Sequence, residues 1–273
     1  MVFPVIGGTQ DAEFNVSNSA RFDDGSSDRL YFDQGSGDDT TARRKWTFST
    51  WIKRSEIESS NHEYFFGVGD YTLIGFRKDD SGEADDLYIQ SQNSGTATAL
   101  QTNAKFRDTN AWYHIFARFD STQGSAPNRL VAYVNGVEVQ DVRAQGYANR
   151  NTALNMFSNS TGPMSINSTN ESGQKGNHYM CDFFLVDGKA LTPDVFGYFK
   201  DGTGYHSVGN IQGGDASGNF KHTTGIWQPK APRMIIAEIN RQGGFGGNGC
   251  YLPMNTGCNP GFDFRIFEPD TIL

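Results

Sequence analysis

The chain has 273 residues, and 23 Lys and Arg against 31 Asp and Glu leave a net charge of −8 at neutral pH. That balance excludes a nucleic-acid binder, which needs clustered cations along the phosphates. Aromatic residues at 13%, with 32 glycines and only 20% charged residues, exclude a disordered chain and a long-helix protein alike. They specify short strands joined by Gly- and Asx-bearing turns.

Residues 1–17 read as an N-terminal docking arm, extended by Pro4 and loosened by Gly7-Gly8. Met1–Gly8 lacks the basic start and apolar run of a secretory signal. No stretch reaches the ~18 apolar residues of a membrane span. The chain is therefore expected to be made in a cytoplasm and not to insert into a membrane. Strands are expected at Ala20–Phe22 and Arg29–Phe32, each closed by an Asp- and Gly-bearing turn. The basic run Arg43-Arg44-Lys45 follows Asp38 and Asp39 and reads as a solvated strand entry. Trp46–Lys53 carries aromatics on both parities, as a strand covered on both faces does.

Further strands are expected at Tyr64–Val68, Tyr71–Phe76, Asp86–Gln90 and Ala97–Gln101, with no helical pattern between them to carry parallel crossovers. The loop between Phe76 and Leu87 is acidic. Asp79, Asp80, Asp85 and Asp86 are its candidate Ca2+ ligands, although their spacing does not follow the alternate-oxygen pattern of an EF-hand. A solvated turn is the simpler reading, and no cofactor is expected.

Trp112–Asp120 and Arg129–Val139 are the most informative strands. Asn135-Gly136 splits the second into two apolar runs, and both residues accept the positive φ of a type I′ hairpin turn. Pro163–Asn167 and Met180–Gly188 complete the strands. Thr192 before Pro193 predicts one short helical turn at 191–197. Beyond Tyr198 the chain is aromatic and glycine-rich without alternation. Cys181, Cys250 and Cys258 form an odd set without metal-ligand spacing; buried thiols are expected, with a Cys250–Cys258 loop as the alternative.

In order, Ser19-Ala-Arg-Phe22, Trp46-Thr-Phe-Ser-Thr-Trp-Ile-Lys53, Trp112-Tyr-His-Ile115, Tyr133-Val-Asn-Gly-Val137 and Phe184-Leu-Val-Asp-Gly-Lys-Ala-Leu-Thr-Pro193 resemble the concanavalin A-like lectin/glucanase family in its laminin-G-like or pentraxin-like form. With the closing Thr224-Gly-Ile-Trp-Gln-Pro-Lys230, the set is similar to the version found in structural proteins of tailed phages, marine ones in particular. The resemblance covers about residues 18–231. It implies an all-β, two-sheet antiparallel jelly-roll sandwich and, for the phage version, a place in the virion, beside other virion proteins and in a homo-oligomer. Residues 232–273 then form a glycine- and aromatic-rich tail, whose Phe245, Phe262, Phe264 and Phe267 are expected as buried docking contacts.

Fold does not fix function, because this fold serves hydrolases, lectins and structural modules alike. A retaining glycosidase needs two carboxylates about 5 Å apart. The glucanase branch of the family carries Glu-x-Asp-x-x-Glu on one strand. The nearest match here, Glu83-Ala-Asp85-Asp-Leu-Tyr88, puts Tyr88 in place of the second glutamate. The five histidines are scattered, and no nucleophile elbow or phosphate loop occurs, so no catalytic residue is assigned and His114 reads as a packed or rim histidine. Glycan binding needs exposed aromatic faces, and Tyr147, Tyr179 and Tyr205 are the candidates. The expectation is a non-enzymatic virion component, with a receptor-binding adhesin for host surface polysaccharide as the rival and a secreted glycan hydrolase third.

Overall fold

The computed structural model describes residues 19–26, 28–32, 40–57, 61–69, 71–78, 84–93, 97–158, 161–169, 174–201, 204–206 and 225–254. The arm 1–17, Asp79, Asp80, Cys258, Phe262, Phe264 and Phe267 lie outside them.

Two antiparallel sheets stack face to face, as the alternation and turn chemistry require. Sheet A holds β1 (Ala20–Phe22), β3 (Lys45–Arg54), β8 (Tyr113–Asp120), β9 (Leu130–Val134), β10 (Val137–Glu138), β13 (His178–Asp187) and β17 (Cys250–Leu252). Its order is β1-β13-β3-β8-β9-β10, with β17 also on β13. Sheet B holds β2 (Leu30–Phe32), β4 (Glu63–Val68), β5 (Thr72–Phe76), β6 (Asp86–Gln92), β7 (Ala97–Lys105), β11 (Val142–Gly146) and β12 (Met164–Ile166), in the order β11-β7-β6-β5-β4-β12-β2. The hairpin between β9 and β10 turns at Asn135 (φ 50°) and Gly136 (φ 74°), the two positive values its sequence called for.

The inner faces meet in one core that includes Trp46, Phe48, Phe65, Phe66, Phe76, Phe119 and Phe183. Edge-on ring pairs such as Phe48 on Phe183, at 5.5 Å and 84°, lock it. One end of this core is closed by charge instead of carbon. Arg54, fully buried, donates to Glu63 and to Asp85 Oδ1 at 2.7 Å, and lies 5.0 Å over the Phe76 ring.

The outer face of sheet A is covered as well, which explains the two-sided aromatic pattern of Trp46–Lys53. Part of the cover is a 3₁₀ turn at Pro193–Val195, where the sequence predicts a helical turn. A second part is a small sheet of β14 (Gly197–Asp201), β15 (Gly204–His206) and β16 (Ile226–Pro229). The third is a helix, α1 (Pro232–Arg241), which seats Ile235, Ile236 and Ile239 against Phe116, Phe184 and Val186. The segment read as a tail thus contributes a helix and a strand of sheet A between residues 232 and 254. Its glycine-rich stretch is held by Asp187, whose N–H donates to Phe245 O at 2.8 Å and whose Oδ2 accepts from Asn248 N and Nδ2. Phe245 is buried in the cluster under α1 and is not free to dock elsewhere.

Candidate functional site

The register of sheet A sets four side chains in one row on its outer face. Arg21 of β1 pairs with Tyr179 of β13, and Tyr179 pairs with Lys53 of β3. Because Ile52 pairs with Tyr113, Lys53 stands beside Trp112, one residue before β8. Alternation fixes the side: Ile52 and Met180 enter the inner core, whereas Trp51 and Cys181 pack outside with Phe199 and Trp227. The row therefore reads cation, aromatic, cation, aromatic across four strands. Tyr179, Lys53 and Trp112 are half-buried and Arg21 is exposed. Lys53 has no ion-pair partner among the described residues, and Arg21 meets Asp23 at 3.2 Å.

A rigid floor lies beside this row. Trp227 Nε1 donates to His114 Nδ1 at 3.0 Å, and His114 Nε2 lies 2.9 Å from Ser49 Oγ. An indole N–H can only donate, so Nδ1 is the acceptor and Nε2 carries the proton, which it gives to Ser49. Burial pushes the His114 pKa down to about 3, so the ring is neutral near pH 7. Trp51 and Trp227 flank it with ring centroids at 5.0 and 5.7 Å. His114 is the packed histidine its strand position suggested.

The three tyrosines read as glycan candidates do not converge. Tyr179 sits in the row just described. Tyr147 follows β11 at the edge of sheet B, exposed, with its hydroxyl donating to Gln145 Oε1 at 3.0 Å. Tyr205 falls in β15 of the small sheet, paired with Lys200. Arg21, Lys53 and Trp112 were not singled out from the sequence. The parity of each strand was readable, but the order of neighbours that brings them together was not.

The acidic loop differs from a solvated turn where it is described. Asp85 and Asp86 are buried. Asp85 accepts from Arg54 and, at 2.7 Å, from Arg107 Nε; Asp86 accepts from Gln101 Nε2 at 3.0 Å and Lys105 Nζ at 3.2 Å. Lysine and arginine thus occupy carboxylates proposed for Ca2+. Among the described residues no three His, Cys, Asp or Glu groups gather as a metal site. One further buried acid, Asp182, accepts from Tyr251 Oη at 2.9 Å. Burial raises its pKa to about 6. It sits at φ 48° where the β13–β3 register slips between Cys181 and Phe184, a β-bulge inside a strand read as continuous. Cys181 is a buried thiol, and Cys250 is buried in β17.

No curated protein matches this chain in sequence. Solved structures similar to it include a candidate carbohydrate-binding protein from Bacteroides ovatus, at 15% identity and TM-score 0.42, covering 64% of this chain and 44% of that one. The fourth domain of an extracellular arabinanase from Geobacillus stearothermophilus, in complex with arabinotriose, is 19% identical at TM-score 0.35, covering 55% and 63%. A heptameric pentraxin from Limulus polyphemus is 13% identical at TM-score 0.35, covering 82% and 88%. The chain spans less than two thirds of the length of the first two. The family model described as the concanavalin A-like lectin/glucanases superfamily, laminin G type, matches residues 24–193, more than half of the sequence. With that match over an antiparallel two-sheet sandwich, the chain belongs to the concanavalin A-like lectin/glucanase superfamily.

Proposed function

We propose that this chain is a non-enzymatic component of a tailed-phage virion, a capsid- or tail-associated decoration or fibre-like protein that displays its lectin-like sandwich on the particle surface. What carries the reading is the contact between Trp227 and His114. It joins the closing Gly-Ile-Trp-Gln-Pro-Lys segment to the central Trp-Tyr-His-Ile strand, two of the ordered motifs in which the chain resembles the phage version of the fold, in one packed unit. The non-enzymatic part is supported by Asp85, the middle carboxylate of the nearest glucanase-like segment Glu83–Tyr88, whose two oxygens are held by Arg54 and Arg107. Other virion proteins are the partners, with residues 1–17 and 255–273 as docking segments of a homo-oligomer. Neither deletion removes a described residue. Purified particles carrying either deletion should lose the protein, and full retention after both would overturn docking through the ends.

The row Arg21–Tyr179–Lys53–Trp112 favours a second reading, a receptor-binding tail adhesin for host surface polysaccharide. Half-buried aromatic rings on a sheet face suit stacking on sugar rings. An array of bacterial polysaccharides probed with the full chain should give binding that Tyr179→Ala weakens, and a blank array would remove this reading.

A further inference from the structure

Resting on that adhesin reading, we infer that the glycan held by the row is acidic, a polysaccharide with carboxylate-bearing sugars. The row alternates two cations with two aromatic rings and includes no carboxylate. Tyr179 and Trp112 stand on β13 and beside β8, with β3 between them, so their rings are separated by two interstrand spacings, roughly 10 Å. A short oligosaccharide bridges that span, stacking one sugar on each ring and placing an intervening sugar over Lys53. A neutral sugar there would leave the half-buried ammonium unpaired, whereas a uronate or sialate carboxylate pairs with it. Arg21, at the end of the row, offers a second carboxylate contact in exchange for Asp23.

Acids close to the row in sequence are already engaged. Asp23 bonds Arg21, Glu56 accepts from Asn177 Nδ2 at 3.4 Å, and Asp108 accepts from Asn110 N at 2.8 Å. The rest of the chain argues for selectivity, because a net charge of −8 repels polyanions in general. An acidic polymer is held only where cations are concentrated, and only with ring stacking to add to them. The row is also rigid. Its two central strands, β13 and β3, are paired on both sides, and Trp112 packs on the cluster of Trp51, Cys181, Phe199 and Trp227. A ligand meets a preformed platform and orders little on binding.

The test is titration of the full chain with polygalacturonate, alginate and polysialate, with methyl-esterified polygalacturonate, with neutral glucans, and with polyglutamate. Binding to at least one acidic polysaccharide is expected, weakened roughly tenfold by methyl esterification where polygalacturonate binds, by 0.5 M salt, and by Lys53→Gln. Tyr179→Ala should weaken it as well, and polyglutamate should not bind. Circular dichroism melts of both variants separate lost binding from lost fold. Neutral and acidic polymers bound equally, or neutral ones alone, would overturn the acidic assignment and leave the adhesin reading standing. Polyglutamate bound as well as the sugars, or Lys53→Gln without effect, would overturn the site. No polysaccharide bound at all would remove both.

Discussion

Because the indole N–H of Trp227 has one proton and no lone pair, its bond to His114 dictates the tautomer of a ring that also serves Ser49. Trp227→Phe keeps a ring in place but strands Nδ1 in a dry site, where a lost partner costs about 1–3 kcal/mol. Urea unfolding should register that loss. Trp227→Phe in a His114→Phe background should cost less, since no acceptor is then left unpaired. Asp182 carries a different signature. Its folded pKa, raised to about 6 by burial, lies above the ordinary aspartate value of 3.8, so the native chain holds an extra proton between these values and stability falls as pH rises through them. His114 and His178 run the other way. Burial takes both down to about 3, so their contribution is present above pH 6.5 and is lost as pH falls toward 3. Asp182→Asn keeps an acceptor for Tyr251 and tolerates the left-handed φ of 48°. It should stabilise the protein by about 2 kcal/mol at pH 7.5 and by almost nothing at pH 4, leaving a steeper loss in acid. Urea midpoints at the two pH values check this, and an equal gain at both would contradict it.

At the scale of elements, what alternates was legible and what leans on something else was not. Trp46–Lys53, Trp112–Asp120 and the Asn135-Gly136 hairpin announce themselves because period, aromatic load and turn residues agree within a few positions. The acidic loop shows the limit of local reading. Asp85 and Asp86 look solvated in sequence, yet Arg54, Arg107 and Lys105, 19 to 31 positions away, draw them inside. Helix α1 had signals of its own: Pro232 in its first turn, isoleucines at 235, 236 and 239, and positive φ at Gly243 and Gly244 just past its end. At ten residues it is too short to hold alone, and it exists because the outer face of sheet A gives its isoleucines somewhere to go. Ile239 is fully buried at that contact. Ile239→Asp should therefore destabilise the chain by more than about 3 kcal/mol and open residues 232–254 to limited proteolysis while the remaining core still resists. Unchanged protease resistance would mean that the helix does not belong to the sandwich.

For the whole molecule, length admits two domains, and the described residues form one sandwich whose second face is closed by a small sheet and a helix. That closure leaves the row from Arg21 to Trp112 as a patterned strip at the margin of the covered face. The family and the fold are carried by the ordered motifs and by the sheets they build. The site is not readable from any one of them, because it is assembled from β1, β13, β3 and the entry to β8. The proposed function places this lectin-like sandwich on the surface of a particle. Density-purified virions labelled with a gold-conjugated antibody against the sandwich test it most directly. Gold is expected on the outer surface of intact particles, repeated at symmetry-related positions. Particles free of label and of this chain by mass spectrometry, with the protein abundant in the infected-cell lysate, would contradict it.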